Sequence, residues 1–442
     1  MEPLARAAIT VLRRNDRGRW TRPSPNLYPH QWSWDAGFNA IGWSHLDPAR
    51  AVDELRSLFR GQWATGMVPQ IVFDATVALG AYEPGPVAWA TAGHSPAGVY
   101  TSGICQPPVH AIALHRMRTV ALSHGAGAEA IVDAGIVELY PKLAAWHAWL
   151  HTERDPDRTG VITILHPWES GLDNSPRWDA ALAAVPPRRA LPAVARPDLT
   201  HVLDPAERPT DDDYRRYREL VEALIDVDYD QSAAVRTGPF RLADVLFTAI
   251  LVAADDVLAD LAERAGHPDA SAGHRADAAL GRTGLETCWD VDAGLCFDRD
   301  LVTGVRTTAR TVAGFAPLIA GCPLDRAALL LDTLQGPEFA GAPGLRWPLP
   351  PSTAVADPGF DPRAYWRGPV WPVVNWLLWW SIDRAGLHRQ ADGLRAASLA
   401  QLHATGCAEY VEPFTGEPLG SPAQSWSAAV ALDWLGYHPP HH

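Results

Sequence analysis

Apolar residues along the chain alternate between two kinds of predicted helix. Some stretches are apolar on nearly every side, as in 242–265 and 373–384, and such a helix is expected to be buried. Others carry a single apolar face, as in the helix that begins at Asp47 and Pro48, where apolar residues recur at three- and four-residue spacing over 52–59. Asp47 is predicted to be its N-cap and Pro48 its first helical residue. The pattern predicts buried helices that alternate with surface helices.

The predicted helices follow one another along the whole chain. They cover residues 4–14, 36–45, 48 onward, 109–123, 132–152, 242–265, 312–320, 325–335, 373–384, 390–405 and a last segment that ends at 435. Strand signals are sparse, and the two short candidates are 161–165 and 294–297. These elements predict an all-α fold.

Short polar and aromatic segments, here called lead-in segments, precede the apolar helices. They begin near residues 28, 102, 166, 238, 307, 365 and 424, and the segment at 166 leads into a long insertion instead. Their spacing of roughly 60 to 75 residues, without recurring identity, does not fit a solenoid repeat. We therefore predict an (α/α)6 barrel, a closed ring of helical hairpins whose lead-in segments meet at one mouth.

The insertion at 176–235 contains a stretch, 187–209, that is rich in Pro, Ala and Arg. It shows no apolar pattern large enough for a separate core. We predict a single domain over 1–442 in which 176–235 forms lid loops over the mouth. A second long loop is predicted at 337–362.

Composition narrows the class of protein. A 47% share of hydrophobic residues and a 20% share of charged residues indicate a globular protein, and a net charge of −14 argues against a nucleic-acid partner. No apolar run reaches the ~20 residues of a membrane span, and the N-terminus lacks the apolar core of a signal peptide. We expect a cytoplasmic protein with no membrane partner, and the sequence leaves a homo-oligomer open. The scattered cysteines indicate neither a zinc site nor a disulfide framework; they are Cys105, Cys288, Cys296, Cys322 and Cys407.

Tryptophan is unusually abundant in this sequence, because the 19 Trp residues outnumber the 10 Tyr and the 10 Phe. Indole suits the packing of sugar C–H faces, since it is a flat apolar plate with one N–H donor. Two Trp residues lie in the segment from His166 to Asp179, beside three carboxylates and an arginine. This segment is too polar for a core and too aromatic for an ordinary surface loop, so it is the first candidate for a catalytic loop.

Carboxylates among aromatic rings suit the hydrolysis of glycosidic bonds, which needs one protonated and one ionised carboxyl group. Asp173 lies between Trp168 and Trp178, whose apolar faces would raise the pKa of its carboxyl, so it is the candidate acid. Glu409 is the candidate base, with Glu412 and Glu417 as rivals in the same segment.

Other residues of the site can be assigned only as a set. If the lead-in segments converge, the mouth holds Tyr28, Trp32, Trp34, Asp35, Gln106, Trp168, Glu169, Asp173, Arg177, Tyr365, Trp366, Arg367, Trp371, Glu409 and Gln424. Asp35 fits either a sugar ligand or a carboxylate that stabilises a helix N-terminus. Glu169 also fits a structural ion pair with Arg177.

The insertion contributes two further candidates, Arg208 and Tyr214. They fit either a solvated lid or a site for an anionic aglycone, which a guanidinium fork would bind. Three histidines, His30, His110 and His166, lack metal-ligand spacing and are interpreted as structural, so we expect no metal and no cofactor.

Four motifs in this order resemble glycoside hydrolase family 63, which is related to the trehalases. They are Tyr28-Pro-His-Gln-Trp-Ser-Trp-Asp35, Trp168-Glu-Ser-Gly-Leu-Asp173 with Asn174-Ser-Pro-Arg-Trp178, Tyr365-Trp-Arg-Gly-Pro-Val-Trp371, and Glu409-Tyr followed by Gly416-Glu-Pro-Leu-Gly420 and Ser425-Trp426. The resemblance implies an (α/α)6 barrel and an inverting mechanism, with Asp173 at the position of the general acid and Glu409 at that of the general base.

Within that family, the chain is most similar to small bacterial members that act on mannosylglycerate or glucosylglycerate. The resemblance implies a sugar subsite formed by Tyr28, Trp32, Trp34, Asp35, Gln106, Trp371 and Gln424. It implies a glycerate subsite formed by Tyr365, Trp366, Arg208 and Tyr214. The segment Ala408-Glu409-Tyr410-Val411 departs from the family pattern after Tyr410, which leaves the base less firmly placed than the acid.

Three alternatives remain open from the sequence. The enzyme could hydrolyse neutral α-glucosides similar to trehalose or kojibiose, or the ring could bind sugars without catalysis. A sugar epimerase or isomerase on a similar barrel would need paired histidines in the site, and the histidines here are not tied to the carboxylate motifs.

Overall fold

The computed structural model describes residues 3–187, 196–200 and 204–436, so parts of the predicted insertion lie outside the described residues. The α-helices in this part of the chain are α1 (Pro3–Asn15), α2 (Ser33–Ser44), α3 (Pro48–Phe59), α4 (Pro86–Trp89), α5 (His110–His124), α6 (Ala126–Glu153), α7 (Asp179–Ala183), α8 (Asp211–Asp226), α9 (Gln231–Thr237), α10 (Val245–Arg264), α11 (Pro268–Thr287), α12 (Ala316–Ala320), α13 (Leu324–Leu334), α14 (Pro372–Arg384), α15 (His388–Thr405) and α16 (Ser425–Gly436). Short 3₁₀ helices lie at Pro167–Ser170, Pro176–Trp178, Pro197–Thr200, Pro205–Glu207, Val312–Phe315 and Tyr365–Arg367.

Within the described residues, six helices form a closed inner ring. Each packs against the next in the order α2, α5, α10, α12, α14 and α16, and α16 packs against α2 to close the ring. Each inner helix also packs against one outer helix, and these are α3, α6, α11, α13, α15 and α1 in the same order. The predicted all-α (α/α)6 barrel is confirmed.

Burial explains which helices lie inside. Every residue of α10 from Val245 to Asp255 is buried, and so is every residue of α14 from Pro372 to Ile382. By contrast, α3 has an exposed side, and its N-cap Asp47 accepts hydrogen bonds from the backbone N–H groups of Ala49 and Arg50, as the sequence predicts. Apolar residues on all sides therefore identify the inner ring.

Short antiparallel strands hold the lead-in segments near the inner helices. They are β1 (Gln31–Trp32), β2 (Ile71–Phe73), β3 (Tyr100–Thr101), β4 (Thr163–Ile164), β5 (Leu242–Ala243), β6 (Trp289–Asp290), β7 (Leu295–Cys296), β8 (Arg299–Asp300), β9 (Tyr410–Val411) and β10 (Pro418–Leu419). They pair in the orders β1-β2-β3, β4-β5-β8, β6-β7 and β10-β9. The strands predicted at 161–165 and 294–297 exist as β4 and β7, and the others are too short to show an alternating pattern.

Two differences from the predicted helices have clear physical causes. The helix predicted at 312–320 is divided into a 3₁₀ turn and α12, because Pro317 lacks the N–H that would continue the ladder. Helix α11 was not predicted because small residues form its buried side. A Cβ on its Gly284 would lie 2.5 Å from the backbone of Gly160, so the close packing here depends on glycine rather than on large apolar residues.

The insertion also contains a helix that was not predicted, α8. Thr210 caps it, and its side chain and that of Asp213 form a reciprocal capping box. The buried side includes Tyr217, Leu220 and Leu224. No helix in the described residues is long and apolar enough to cross a membrane.

Candidate active site

Five of the seven lead-in segments, those near residues 28, 102, 166, 365 and 424, line one pocket. The predicted convergence of all seven is wrong, because the segments near 238 and 307, which both lie in the described part of the chain, contribute no lining residue. The lining residues of the pocket are Pro23, Tyr28, Trp32, Trp34, Asp35, Gln70, Tyr82, Gln106, Trp168, Gly171, Asp173, Arg208, Tyr214, Tyr365, Trp366, Glu409, Gln424 and Trp426. Of the fourteen residues predicted as catalytic or substrate-binding, the structure brings thirteen to this pocket, and Trp371 is the exception among the described residues. Their individual roles remain predictions.

Asp173 presents a buried carboxyl group to the pocket. No other described residue donates a hydrogen bond to this carboxyl, although Arg208 lies near enough to act on its charge. Burial raises the pKa of Asp173 to about 7, and the nearby charge of Glu409 adds to the rise. A carboxyl with this pKa holds its proton near neutral pH, which a general acid requires.

Glu409 has a contrasting environment. Its Oε1 accepts hydrogen bonds from the hydroxyls of Tyr28 (2.8 Å) and Tyr365 (3.3 Å), and its Oε2 accepts one from the backbone N–H of Ser421 (2.9 Å). Burial outweighs the charge of Arg208 and these three donors, so the pKa of Glu409 is raised above its ordinary value. Donors on both oxygens favour the ionised form, which a general base requires.

The backbone conformation of two neighbouring residues fixes the position of the Glu409 carboxylate. Gly420 has a φ of +66°, and a Cβ there would lie 2.4 Å from Glu409 Oε2, so the turn that supplies the Ser421 N–H requires glycine. Tyr365 also has a positive φ, of +30°, which is strained for a bulky residue. The indole N–H of Trp371 donates to the backbone carbonyl of Tyr365 (3.2 Å) and helps to hold it.

Asp35 is a third carboxyl group of the pocket. It lies in the first turn of α2, so it occupies both positions that the sequence left open, a helix N-terminus and the pocket wall. Burial, followed by the charge of Glu409, raises the pKa of Asp35 well above its ordinary value.

Arg208 is the one cation among the residues that line the pocket in the described chain. Its Nη1 donates to the hydroxyl of Tyr28 (3.2 Å), and its guanidinium lies 4.1 Å from the ring centroid of Tyr365. Its buried Nε lies 3.5 Å from Asp198 without forming a hydrogen bond. Asp198 itself pairs closely with Arg196 (2.9 Å). Arg208 is therefore part of the pocket and not of a solvated lid.

Aromatic rings form the walls. Trp34 meets Trp426 edge-on at 5.4 Å, and Tyr28 meets Trp32 edge-on at 5.3 Å. Trp371 stacks parallel to Trp366 at 3.5 Å between ring centroids, so it supports a wall residue from behind.

Sequence reasoning missed five lining residues, which are Pro23, Gln70, Tyr82, Gly171 and Trp426. Gly171 has a φ of +76°, and a Cβ there would lie 2.9 Å from the ring of Trp34. Gly171 and Trp426 lie inside motifs that were recognised, so their position could have been found. Gln70 and Tyr82 come from loops with no distinguishing pattern.

The predicted pairing of Glu169 with Arg177 is wrong. Glu169 binds Arg154 at 2.6 and 2.8 Å, while Arg177 pairs with Asp244 (3.1 Å) and Asp298 (2.8 Å). Glu169 is fully buried and lies behind the pocket wall, since it does not line the pocket. Arg154 was not predicted as the partner because it lies directly after α6, outside the motif.

Three further predicted candidates also lie outside the pocket lining. Arg367, which was predicted to lie at the mouth, pairs instead with Asp179 (2.7 Å). Glu412 accepts hydrogen bonds from its own turn, including the backbone N–H of Phe414 (3.0 Å), and Glu417 pairs with Arg363 (2.6 Å) at the surface. Glu409 is the member of its segment that reaches the pocket.

The histidines occupy structural positions. Burial lowers the pKa of His30, of His110 and of His166 to about 4 in each case, so all three are neutral near pH 7. No group of three or more His, Cys, Asp or Glu side chains in the described part of the chain could hold a metal ion.

Comparison with known proteins gives consistent matches. The family profile of the mannosylglycerate hydrolase MGH1-like glycoside hydrolase domain matches residues 28–427. A glucosylglycerate hydrolase of Mycolicibacterium hassiacum is 45% identical over 441 residues, which cover 98% of each chain. A mannosylglycerate hydrolase of Thermus thermophilus is 40% identical over 97% of this chain and 99% of that protein.

Solved structures agree with this. The family 63 mannosylglycerate hydrolase of Thermus thermophilus, in complex with Tris and D-glycerate, superposes with a TM-score of 0.88 at 41% identity, over 98% of this chain and 100% of that chain. The neutral trehalase of Saccharomyces cerevisiae, at 15% identity and a TM-score of 0.53 over 93% of this chain and 72% of that chain, shares the fold. The chain therefore belongs to the mannosylglycerate hydrolase MGH1-like family of glycoside hydrolases, within family 63.

Proposed function

We propose that the protein hydrolyses a 2-O-α-glycosyl-D-glycerate, with glucose or mannose as the sugar, and inverts the anomeric carbon. The relatives that carry the names glucosylglycerate hydrolase and mannosylglycerate hydrolase support this substrate class. A cytoplasmic location fits such an activity on a small intracellular solute. We also propose that the insertion at 176–235 closes over the bound substrate.

Arg208 is the observation that carries the proposal. The pocket contains three carboxyl groups, which would repel an anionic ligand if no cation were present. A buried guanidinium placed beside the hydroxyl of Tyr28 and the ring of Tyr365 can bind the carboxylate of glycerate. A neutral disaccharide would place no negative charge against this guanidinium.

Three residues of the pocket wall carry polar atoms that have no partner in the described part of the chain. The Oε1 atoms of Gln70 and Gln424 and the Nε1 of Trp426 are buried without hydrogen bonds to any described residue. Buried polar groups in this state are costly, and sugar hydroxyl groups would satisfy them. The faces of Trp34 and Trp366 would pack against the ring of the sugar.

The chemistry follows from the two carboxyl environments. Asp173 donates its proton to the bridging oxygen as the bond from that oxygen to the anomeric carbon breaks, and glycerate leaves as the alcohol. Glu409 accepts a proton from water as the water oxygen bonds to the opposite face of the anomeric carbon. The product is the β-anomer of the free sugar, and both carboxyls return to their starting state by exchanging protons with solvent.

The first experiment follows the anomeric proton by NMR while the protein is incubated separately with glucosylglycerate, mannosylglycerate and trehalose. We expect a glycerate substrate to be cleaved and the β-anomer to form first. Cleavage of trehalose alone would replace the glycerate proposal with hydrolysis of neutral α-glucosides. An α-anomer that forms first would contradict inversion, and the absence of any product with bound sugar would indicate a non-catalytic binding protein.

A second experiment isolates the role of Arg208. Arg208→Ala should lower kcat/KM for the glycerate substrate by about 100-fold or more, because it removes a charge-assisted contact. Arg208→Lys keeps the charge without the fork and should retain part of the activity. As a matched control, Arg56→Ala breaks a surface pair with Glu138 and should leave kcat/KM unchanged.

A further inference from the structure

The position of Asp173 depends on its backbone. Its carboxyl receives no hydrogen bond from any other described residue, so packing and the backbone determine where the carboxyl lies. Its backbone carbonyl accepts a hydrogen bond from the hydroxyl of Tyr217 at 3.1 Å. Across the described chain, this is the one hydrogen bond that joins Asp173 to another residue.

Tyr217 is itself held firmly. It lies in α8, is fully buried, and its ring packs 5.1 Å from that of Trp168 and 5.5 Å from that of His166. His166 Nδ1 accepts the backbone N–H of Trp168 (3.0 Å), so the Nε2–H of the neutral ring donates to the backbone carbonyl of Tyr217 (3.1 Å). Two hydrogen bonds therefore tie α8 to the loop that carries the acid.

The same helix reaches the aglycone end of the pocket. Tyr214, one turn before Tyr217, lines the pocket, and the two rings are 5.7 Å apart. Arg208 lies three residues before Asp211, the first residue of α8, and the capping box of Thr210 fixes the start of the helix between Arg208 and Tyr214. Contacts made at Arg208 and Tyr214 can thus act on the backbone of Asp173 through one short rigid helix.

We propose that Tyr217 is a positioning residue that holds the general acid through its backbone and couples the position of the acid to the glycerate end of the pocket. This rests on the proposed function. The hydroxyl of Tyr217 touches no reacting atom, and it acts by restricting the backbone from which the Asp173 carboxyl projects. A carboxyl that moves by about 1 Å donates its proton poorly, and such a displacement can lower the rate of catalysis by ~100-fold.

Tyr217→Phe removes this hydroxyl and keeps the ring. The test compares two substrates of the same sugar, the glycosyl-glycerate and the α-glycosyl fluoride, because fluoride leaves with little help from an acid. We expect kcat for the glycerate substrate to fall about 10-fold with KM within about twofold, and the fluoride rate to stay within about twofold. Equal losses on both substrates, or no loss on either, would overturn the proposal.

Two further variants keep the test sharp. Tyr140→Phe removes a hydroxyl that bonds His274 (3.1 Å) on the outer layer, and it should change neither rate. His166→Asn breaks the other bond between α8 and the acid loop and should reproduce the split between the two substrates if Tyr217→Phe folds poorly. Failure of the proposed function would look different, because the wild-type protein would then hydrolyse the fluoride and no glycerate substrate.

Discussion

Glu169 and Asp173 lie four residues apart in one loop, yet their surroundings differ in almost every respect. Glu169 accepts two hydrogen bonds from Arg154, one from the backbone N–H of Leu165 (2.6 Å) and one from that of Cys105 (3.3 Å). Asp173 accepts none from another described residue at its carboxyl. The two acidic side chains of this loop therefore differ in the number of donors they meet.

The pKa values follow this difference. Burial raises the pKa of Glu169, but Arg154 and the backbone donors outweigh it and leave the pKa below its ordinary value. Burial raises the pKa of Asp173 to about 7, although the charge of Arg208 and its own backbone N–H act in the opposite direction. The comparison teaches that burial alone does not fix the pKa of a carboxyl, because the donors that meet the carboxyl decide whether its pKa ends above or below the ordinary value.

Removal of the Asp173 carboxyl should have the largest effect. Asp173→Asn keeps the shape but has no proton to donate, so kcat for the glycosyl-glycerate should fall about 10³- to 10⁴-fold. Steady-state kinetics would measure this, with the α-glycosyl fluoride as the control that should lose far less. Activity within tenfold of wild type would exclude Asp173 as the acid.

The carboxyl of Glu169 should contribute to the stability of the folded protein. Glu169→Gln leaves the Arg154 charge buried and unmatched, and should lower the free energy of unfolding at neutral pH by about 3–5 kcal/mol. Because the folded-state pKa of Glu169 is lowered, this contribution is present above its ordinary value of 4.5 and is lost as the pH falls through the folded-state pKa. Urea unfolding at several pH values would measure it.

A surface pair supplies the control for that experiment. Glu138→Gln removes the partner of Arg56, and exposed pairs of this kind contribute under about 1 kcal/mol. An effect of Glu169→Gln no larger than that of Glu138→Gln would contradict the structural role assigned to Glu169.

Stability should change in the reverse direction at Asp173. Its raised pKa means that the folded protein bears the cost of a buried charge as the pH rises from 3.8 through about 7, whereas Asn bears none. Asp173→Asn should therefore be more stable than wild type at pH 8, by up to about 4 kcal/mol, and equal to it below pH 4. Thermal unfolding across this range would show it, and a difference that does not vary with pH would be inconsistent with a raised pKa.

The contrast also separates what the sequence could predict from what it could not. The helices of the ring and the choice of Asp173 as the candidate acid depend on local patterns, namely apolar spacing and flanking tryptophans, which the sequence displays directly. The partner of Glu169 cannot be predicted from sequence distance. Arg177 is nearer to Glu169 in the sequence but pairs with Asp244, whereas the actual partner, Arg154, lies just after α6. Isolated lining residues such as Gln70 carry no local signal for the same reason.

The insertion shows a similar limit. Arg208 was left open between a solvated side chain and an anion site, since only packing against Tyr28 and Tyr365 distinguishes them. Helix α8 does have a readable start at Thr210, but its contact with the acid loop through Tyr217 joins residues 44 positions apart. Such contacts become visible only when the chain is folded.

Titration of the Asp173 carboxyl tests the central claim most directly. In protein labelled with ¹³C at aspartate side-chain carboxyls, the Asp173 signal is identified by its absence in Asp173→Asn, and its shift is followed with pH by NMR. We predict a midpoint near 7, the pKa that burial gives this group. A midpoint near the ordinary value of 3.8 would mean that Asp173 is ionised at neutral pH and cannot serve as the proton donor.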